Sequence, residues 1–510
     1  MRHQLENFLL ALAVGSAVAI GAKRIHVPYN VALVLVGLLL VLLFPMPADA
    51  TMNPEVVLVV VLPVLVFEGA LFADSRSMRG AARPILALAV PGVILSLLGT
   101  AAIATWALAL PFAAALLLGA ILSITDTVSV LLAFRSVRVP HRLESIMEGE
   151  SLFNDGTALV LVSLCTAILQ SGFFDPLVTL RELAVAIIGG LAVGAGSGAI
   201  GSVVLRATPD HLTAILSSIV LVFASSLSAE YVHASPVIAV VVAGLMVGQT
   251  ARRELEPSRV LSLHGFWETT GFVLNVLIFL VVGMQIHADT LLAEASSIAL
   301  ALLALHSGRA IAVYGCFGAL RALKREEISM RWQHVMVLGN IKGALSMAAV
   351  LALPAGLPYR ERLVTIVFGV TFVTLMTQAL PFQAILKRLG VATGALNPDV
   401  DHAKATLVAA RRGQSELDEL IGAGLISRRD HAERRAAFQR QVITAESALR
   451  GPAGEIARDA LADLAILNAQ KAALLDAGRR SLISDEVVQQ RVNVIDRELM
   501  SLSDSKEGSS

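Results

Sequence analysis

Residues 149–156 read Gly-Glu-Ser-Leu-Phe-Asn-Asp-Gly and decide the fold, because they lie inside an apolar run that extends from 143 to 169. Such a run is long enough to cross a bilayer as a helix, which needs about 20 mainly apolar residues. Ionisable side chains at membrane depth are costly and persist mainly where they serve a site or a pathway. The stretch therefore predicts a polar site buried in a membrane protein.

The composition of the whole chain agrees with a membrane protein. The 510 residues are 56% hydrophobic and 16% charged, whereas ordinary globular domains are about 25% charged. Positive and negative charges balance, which gives no indication of a nucleic-acid partner, and the two cysteines are too few for a disulfide scaffold or a cysteine metal cluster. Of the 80 charged residues, 34 lie in 391–510. This break predicts a membrane domain over 1–390 and a soluble helical tail over 391–510.

Apolar stretches predict thirteen transmembrane helices in the membrane domain. They are 7–22, 31–44, 56–72, 85–106, 112–134, 143–169, 182–204, 212–229, 236–249, 264–284, 291–319, 335–353 and 363–386. The loops after odd-numbered spans hold 16 Lys and Arg, and those after even-numbered spans hold 3. Since positive loops stay in the cytoplasm, we expect the N-terminus outside and the tail in the cytoplasm.

Two of these spans are interrupted by polar residues. Thr125 and Asp126 break span five, and Asn340 to Gly343, which include Lys342, break span twelve. Unwound turns at such interruptions expose carbonyls that can coordinate a cation. The two spans are seven apart, and an odd offset reverses the direction of matching helices, as an inverted repeat requires.

The remaining intramembrane charges define the candidate site. Asn154 and Asp155 supply oxygen ligands, and their helix also carries Glu150 and Ser151 one turn earlier. Arg309 lies in the middle of span eleven and requires a carboxylate partner, for which Glu150 is the candidate. Glu68 in span three either lines a funnel or forms a helix-packing pair. Asp126 either belongs to the ion site or caps the unwound turns, and Lys342 neutralises Asp126 or a broken-helix end.

Four motifs together resemble the monovalent cation:proton antiporters of the NhaP/NHE type over about residues 1–390. They are Phe-Glu-Gly-Ala at 67–70, Thr-Asp at 125–126, the string at 149–156, and Asn-Val-Leu-Ile-Phe-Leu-Val-Val-Gly-Met-Gln at 275–285. The resemblance implies an all-α integral membrane protein with thirteen helices in two inverted repeats and discontinuous crossing helices. It also implies a homodimer that exchanges sodium for protons by an elevator-like motion, with no cofactor and no enzymatic activity.

The resemblance further implies roles for single residues. Asp155 is the carboxylate that binds the transported Na⁺ or the proton, supported by Asn154, Thr125, Asp126 and Ser151. Glu150 and Arg309 form a stabilising pair. The family usually has arginine in span twelve where this sequence has Lys342, a point charge without the rigid fork of arginine.

The expected activity is secondary active transport of Na⁺ or Li⁺ against H⁺ across the cell inner (plasma) membrane, with a role in pH and sodium homeostasis. A single titrating carboxylate, with Asn154 in place of a second aspartate, indicates electroneutral one-for-one exchange. The moving core is expected to comprise residues 85–169 and 291–386, and the dimer scaffold residues 7–72 and 182–284.

Other functions remain open on the sequence alone. K⁺/H⁺ exchange is the main alternative, because oxygen ligands do not fix the size of the cation. A channel or a membrane enzyme is disfavoured, since the sequence shows one carboxylate cluster and no catalytic aspartate motif. The tail, with breaks expected at Gly422–Gly424, at Gly451–Pro452 and at Gly478, is either regulatory, dimer-supporting or a solvated appendage.

Overall fold

The computed structural model describes residues 2–25, 28–43, 57–137, 139–285, 288–391, 398–422 and 424–448, and four single residues beyond them (467, 470, 491 and 495). The chain divides into two compact units, Met1–Val391 and Ala392–Ser510. Every regular element in the described ranges is helical.

The helices are numbered in chain order. They are α1 Arg2–Ile25, α2 Tyr29–Leu43, α3 Leu62–Phe72, α4 Ser75–Gly80, α5 Ala82–Ala107, α6 Phe112–Ser123, α7 Thr127–Ser136, α8 His141–Ser171, α9 Pro176–Ala207, α10 His211–Tyr231, α11 Pro236–Glu254, α12 Pro257–Met284, α13 Ala288–Ala293, α14 Ala295–Ala322, α15 Met330–Leu338, α16 Ala344–Leu351, α17 Arg360–Ala379, α18 Phe382–Arg388, α19 Pro398–Gly422 and α20 Arg428–Ala448. Three π-helical segments occur, at Val57–Val61 before α3, at Leu88–Gly92 within α5 and at Leu375–Ala379 within α17.

Seven of the described helices are long and apolar enough to cross a membrane: α5, α8, α9, α10, α12, α14 and α17. Shorter apolar helices add Ala11–Ala22, Tyr29–Leu43, Val59–Phe72 and Phe112–Ser123. The prediction of an all-helical multi-pass membrane protein is thereby confirmed. The exact count of thirteen spans and the inverted repeat stay predictions.

Two helices are interrupted inside the first unit. The helix that begins at Phe112 stops at Ser123 and restarts at Thr127, and the helix that begins at Met330 stops at Leu338 and restarts at Ala344. Both interruptions lie at the polar strings of the sequence, where side chains compete with the backbone for its hydrogen bonds.

Small residues on α9 allow close packing against α11. A Cβ atom at Gly194 would lie 2.5 Å from the carbonyl oxygen of Ala239, and Gly190 and Gly198 contact α11 in the same way. Serine and threonine hydroxyls link the same group of helices, since Thr250 on α11 donates to Ser202 on α9 at 3.0 Å. Membrane helices associate through such packing and interhelical hydrogen bonds, because lipid supplies no hydrophobic driving force.

Charged side chains cap the end of α3 and the start of α4. Asp74 accepts hydrogen bonds from Ser77 and from the backbone N–H of Arg76 at the start of α4, and these bonds lower the pKa of Asp74. Arg252 donates to the carbonyls of Leu71 and Ala73 at the end of α3. These bonds satisfy terminal backbone groups that the helices themselves leave unpaired.

The second unit contains an antiparallel helical hairpin of α19 and α20. Arg411 pairs with Glu446, and Asp418 pairs with both His431 and Arg435 across the hairpin. Ser427 accepts from the backbone N–H of Asp430 and caps α20. The break expected at Gly422–Gly424 separates these helices, whereas the breaks expected at Gly451–Pro452 and Gly478 lie outside the described residues.

We expect Gly194→Ala to destabilise the membrane unit by about 1–3 kcal/mol, because the added methyl group overlaps the backbone of α11. Gly196→Ala on the same helix is the matched control, since its Cβ would meet nothing within 4 Å. Thermal unfolding of the purified protein in detergent, followed by loss of the monodisperse chromatographic peak, measures the difference. An equal midpoint for both variants would contradict this account of the α9–α11 contact.

Candidate ion-binding site

The two interrupted helices meet at their breaks. The backbone N–H of Asp126 donates to the carbonyl of Ile341 at 2.8 Å. Gly343 approaches the Asp126 side chain so closely that a Cβ atom there would lie 2.6 Å from the Cβ of Asp126. The unwound segments therefore cross each other and satisfy part of each other's backbone.

Opposite charges lie beside the ends of the half-helices at this crossing. Lys342 is fully buried, and its ammonium group donates to the carbonyl of Ile124 at 2.8 Å and to Oδ1 of Asn340 at 2.7 Å. Ile124 follows the last residue of α6, so the ammonium lies at the negative end of that helix dipole. Asp126 immediately precedes α7 and contacts Gly343 at the start of α16, where a carboxylate is favoured.

The amide of Asn154 joins α8 to the break between α6 and α7. Its Nδ2 donates to the carbonyl of Ser123 at 3.0 Å, to Oγ1 of Thr125 at 3.3 Å and to Oε1 of Glu150 at 3.2 Å. The hydroxyls of Thr125 and Ser151 lie 3.4 Å apart. Four residues of the predicted site therefore surround one unwound turn.

Glu150 and Arg309 form a buried bidentate pair. Nη1 and Nη2 of Arg309 each donate to one carboxylate oxygen of Glu150 at 2.9 Å, and Nε donates to the carbonyl of Met336 at 3.2 Å. Glu150 is 2% exposed and Arg309 4% exposed. The pair ties α8 to α14 and to the end of α15, as two parallel charge-assisted hydrogen bonds hold both side chains in one plane.

Asp155 lies beside this network, and one of its two carboxylate oxygens is not used by it. It faces the backbone N–H of Thr125 and lies within electrostatic reach of Glu150, Asp126 and Lys342. Its Oδ1 is buried and accepts no hydrogen bond from any residue that the structure describes, and Oδ1 of Asn154 is in the same condition. Neighbouring acceptor oxygens beside an unwound helix can replace part of the hydration shell of a small cation.

Glu68 lies on α3 and contacts α12. Its carboxylate packs against α12, where a Cβ atom at Gly271 would lie 1.7 Å from Oε2. Of the residues predicted from the sequence, the structure thus brings together Thr125, Asp126, Glu150, Ser151, Asn154, Asp155, Arg309 and Lys342. The contact described for Glu68 is with Gly271 on α12.

Two residues at the crossing were missed by the sequence analysis. Asn30 on α2 donates from Nδ2 to Oγ of Ser129, and Ser129 donates to Oδ2 of Asp126. Asn30 is a polar residue at the edge of an apolar run, and Ser129 lies three residues after Asp126. The three-residue spacing from Asp126 could have indicated Ser129. Asn30 lies 99 residues before Ser129, and no sequence pattern indicates a contact between them.

A helical membrane bundle with two crossed broken helices and an unpaired carboxylate oxygen at the crossing defines the class of secondary transporters. The particular group follows from comparison. The chain belongs to the transmembrane sodium/hydrogen exchanger family, because the family model of that description matches residues 9–388. The resemblance drawn from the motifs is confirmed, and the protein is a cation/proton exchanger and not an enzyme.

Relatives and solved structures agree with this assignment. The Na(+)/H(+) antiporter NhaS2 of Synechocystis sp. (strain ATCC 27184 / PCC 6803 / Kazusa) is 35% identical over 512 residues, covering 98% of this chain and 94% of that protein. The Na(+)/H(+) antiporter ApNhaP of Aphanothece halophytica is 34% identical, covering 77% and 76% respectively. The structure of the sodium proton antiporter MjNhaP1 from Methanocaldococcus jannaschii at pH 8 has a TM-score of 0.65 at 21% identity, covering 76% of this chain and 98% of that one, and shows the shared fold.

We expect Arg309→Met to destabilise the protein by about 3–5 kcal/mol, because it leaves the buried Glu150 carboxylate without a cationic partner. Adding Glu150→Leu in the same chain should restore much of the loss, since the double variant buries no charge at that position. Thermal unfolding in detergent of the two single variants and the double variant measures the coupling. Additive losses would show that the pair does not act as a unit.

Proposed function

We propose that the protein exchanges Na⁺ for H⁺ across the membrane and that Asp155 binds the two ions in turn. The observation that carries this proposal is the pair of buried acceptor oxygens, on Asp155 and Asn154, beside the unwound turn at Thr125. The names of the relatives, which are Na(+)/H(+) antiporters, support sodium as the cation.

Coupling follows from the use of one carboxylate for both ions. Bound Na⁺ and a bound proton both neutralise Asp155, whereas the empty carboxylate is charged and costly to move through a dry bundle. The loaded carrier therefore crosses in either form, and the empty carrier does not. Because Na⁺ and H⁺ compete for the same oxygens, the exchange rate depends strongly on pH.

The neighbouring residues support Asp155 without sharing its task. Asn154 and Thr125 offer further oxygens, and Ser151 positions Thr125 through their hydroxyl contact. Glu150 and Arg309 hold α8 against α14. The charges of Asp126 and Lys342 compensate the dipoles at the ends of the half-helices. In this role Asp126 both caps an unwound turn and supports the ion site.

The larger transport cycle is part of the same proposal. Residues 85–169 and 291–386 form a core that moves against a scaffold of residues 7–72 and 182–284, and two copies associate through the scaffold. The protein resides in the plasma membrane with its N-terminus outside and its tail in the cytoplasm, and it serves pH and sodium homeostasis. The positive charge of the loops after odd-numbered spans supports this orientation.

The choice of cation is tested in everted membrane vesicles that carry a fluorescent pH dye. Respiration acidifies the interior and quenches the dye, and Na⁺, Li⁺ or K⁺ is then added separately. We expect Na⁺ and Li⁺ to restore the fluorescence and K⁺ to have little effect. A response to K⁺ alone would replace the proposal with K⁺/H⁺ exchange, and no response to any of the three would refute alkali-cation exchange.

We expect Asp155→Asn to abolish cation-dependent proton movement, because an amide can neither release a proton nor balance the charge of Na⁺. The chromatographic profile and the unfolding midpoint should match those of the wild type. Asp289→Asn, which removes an exposed carboxylate, is the matched control and should retain exchange. Cation-driven proton flux in Asp155→Asn would contradict the role of Asp155.

We expect exchange to carry no net charge, because Asp155 is the one titrating carboxylate assigned to the cation and Asn154 replaces a second one. In proteoliposomes with a sodium gradient and a clamped membrane potential, proton movement should proceed without a measurable current. Its rate should also be the same at different imposed potentials. A robust transport current would refute one-for-one stoichiometry while leaving the exchange itself intact.

A further inference from the structure

The contact between Asn30 and the helix crossing links α2 to the start of α7. Asn30 is fully buried at the start of α2. Its Nδ2 donates to Oγ of Ser129 on α7, and Ser129 donates onward to Oδ2 of Asp126. A chain of two hydrogen bonds therefore runs from α2 to the carboxylate that lies beside the half-helix ends.

The main packing of α2 is against α12 and α1. A Cβ atom at Gly37 would lie 2.3 Å from the carbonyl oxygen of Leu280, and one at Gly283 would lie 2.2 Å from the carbonyl oxygen of Val34. The backbones of α2 and α12 are therefore in direct contact, with no space for a side chain at either glycine. The helices at the crossing have other main partners: α6 packs against α5 and α8, α15 against α14, and α16 against α17 and, more weakly, α12.

The amide of Asn30 is not explained by the end of its own helix. Its Oδ1 accepts from the backbone N–H of Val31 at 3.1 Å, which accounts for one end of the side chain. The other polar atom of the side chain is Nδ2. Because a buried amide is costly unless it is hydrogen-bonded, Nδ2 requires an acceptor. Ser129 supplies that partner and passes the contact to Asp126.

We propose that Asn30 is a positioning residue that holds Asp126 through Ser129 and ties α2 to the crossing in this conformation, and that this tie breaks once in every exchange cycle. The proposal rests on the function proposed above, in which the core that contains the crossing moves against the scaffold that contains α2. Removing the tie changes the balance between the conformations and therefore the apparent affinity for Na⁺, since a ligand's apparent affinity scales with the population of the state that binds it.

The first test compares exchange kinetics in proteoliposomes for Asn30→Ala, Ser129→Ala and the double variant. Interhelical hydrogen bonds in membranes shift an equilibrium by about threefold to tenfold, so Asn30→Ala should change the KM for Na⁺ by that factor. In the Ser129→Ala background, Asn30→Ala should have no further effect. Ser202→Ala, which removes a buried interhelical bond between α9 and α11, is the matched control and should leave the KM within about twofold.

The second test fixes the tie covalently. Cys165 and Cys316 are replaced by alanine, Asn30→Cys and Ser129→Cys are introduced together, and a short bifunctional methanethiosulfonate reagent joins the two new thiols. Linking should reduce Na⁺/H⁺ exchange at least tenfold, and a reductant should restore it. Each single cysteine variant, treated in the same way, should keep its exchange rate.

The outcomes separate this inference from the proposed function. If the wild-type protein exchanges no cation for protons, the proposed function fails. If it exchanges normally and linking leaves the rate unchanged, the tie does not break and the inference fails. A loss of stability in Asn30→Ala with an unchanged KM, or equal effects of Asn30→Ala with and without Ser129, would also overturn it.

Discussion

Two helices stop and restart inside a dry bundle, and every backbone group that they release must find a partner there. The crossing meets this requirement with few groups. One backbone bond joins Asp126 to Ile341, and the ammonium of Lys342 satisfies the carbonyl at the end of α6. The amide of Asn154 satisfies the carbonyl of Ser123. These bonds let an unwound backbone persist beside the Asp155 carboxylate, as the proposed ion site requires.

The composition of this crossing explains why a lysine can stand where the family usually has arginine. Lys342 makes point contacts with one backbone carbonyl and with Asn340, and neither contact requires a planar fork. The planar, bidentate task falls to Arg309, which binds both oxygens of Glu150. The two basic side chains therefore have different structural roles: Lys342 stabilises a helix end, and Arg309 aligns helices.

Much of this architecture follows from local rules that act on the sequence. Polar or charged residues interrupt the apolar pattern of several spans: the string at 149–156, Thr125-Asp126, Asn340–Gly343 and Arg309. Each of them is costly at membrane depth, and each therefore indicates a structural or functional role. Charge requires a carboxylate partner for Arg309, and the structure places the predicted partner, Glu150, against it. The structure places these residues together, although their roles in transport remain predictions.

Other features depend on three-dimensional packing and leave no local signal. The role of Asn30 depends on its hydrogen bond to Ser129, on a helix far away in the sequence. In the sequence alone, an asparagine at the edge of an apolar run is typical of an ordinary helix end. Glu68 is similar, because its position against Gly271 depends on the approach of α3 to α12. The π-helical segments at Val57–Val61, Leu88–Gly92 and Leu375–Ala379 also escape sequence patterns, since one extra residue per turn hardly changes the apolar periodicity.

The amide of Asn154 has a consequence for how the transporter could evolve. Because three acceptors surround its nitrogen, the amide can point its oxygen in one direction only. An aspartate there would set an oxygen against the Ser123 carbonyl and a second negative charge against Glu150. An aspartate at position 154 would therefore fit only together with changes in the Glu150–Arg309 pair and in the unwound turn. The local chemistry of this one side chain therefore makes the step from asparagine to aspartate depend on several other substitutions.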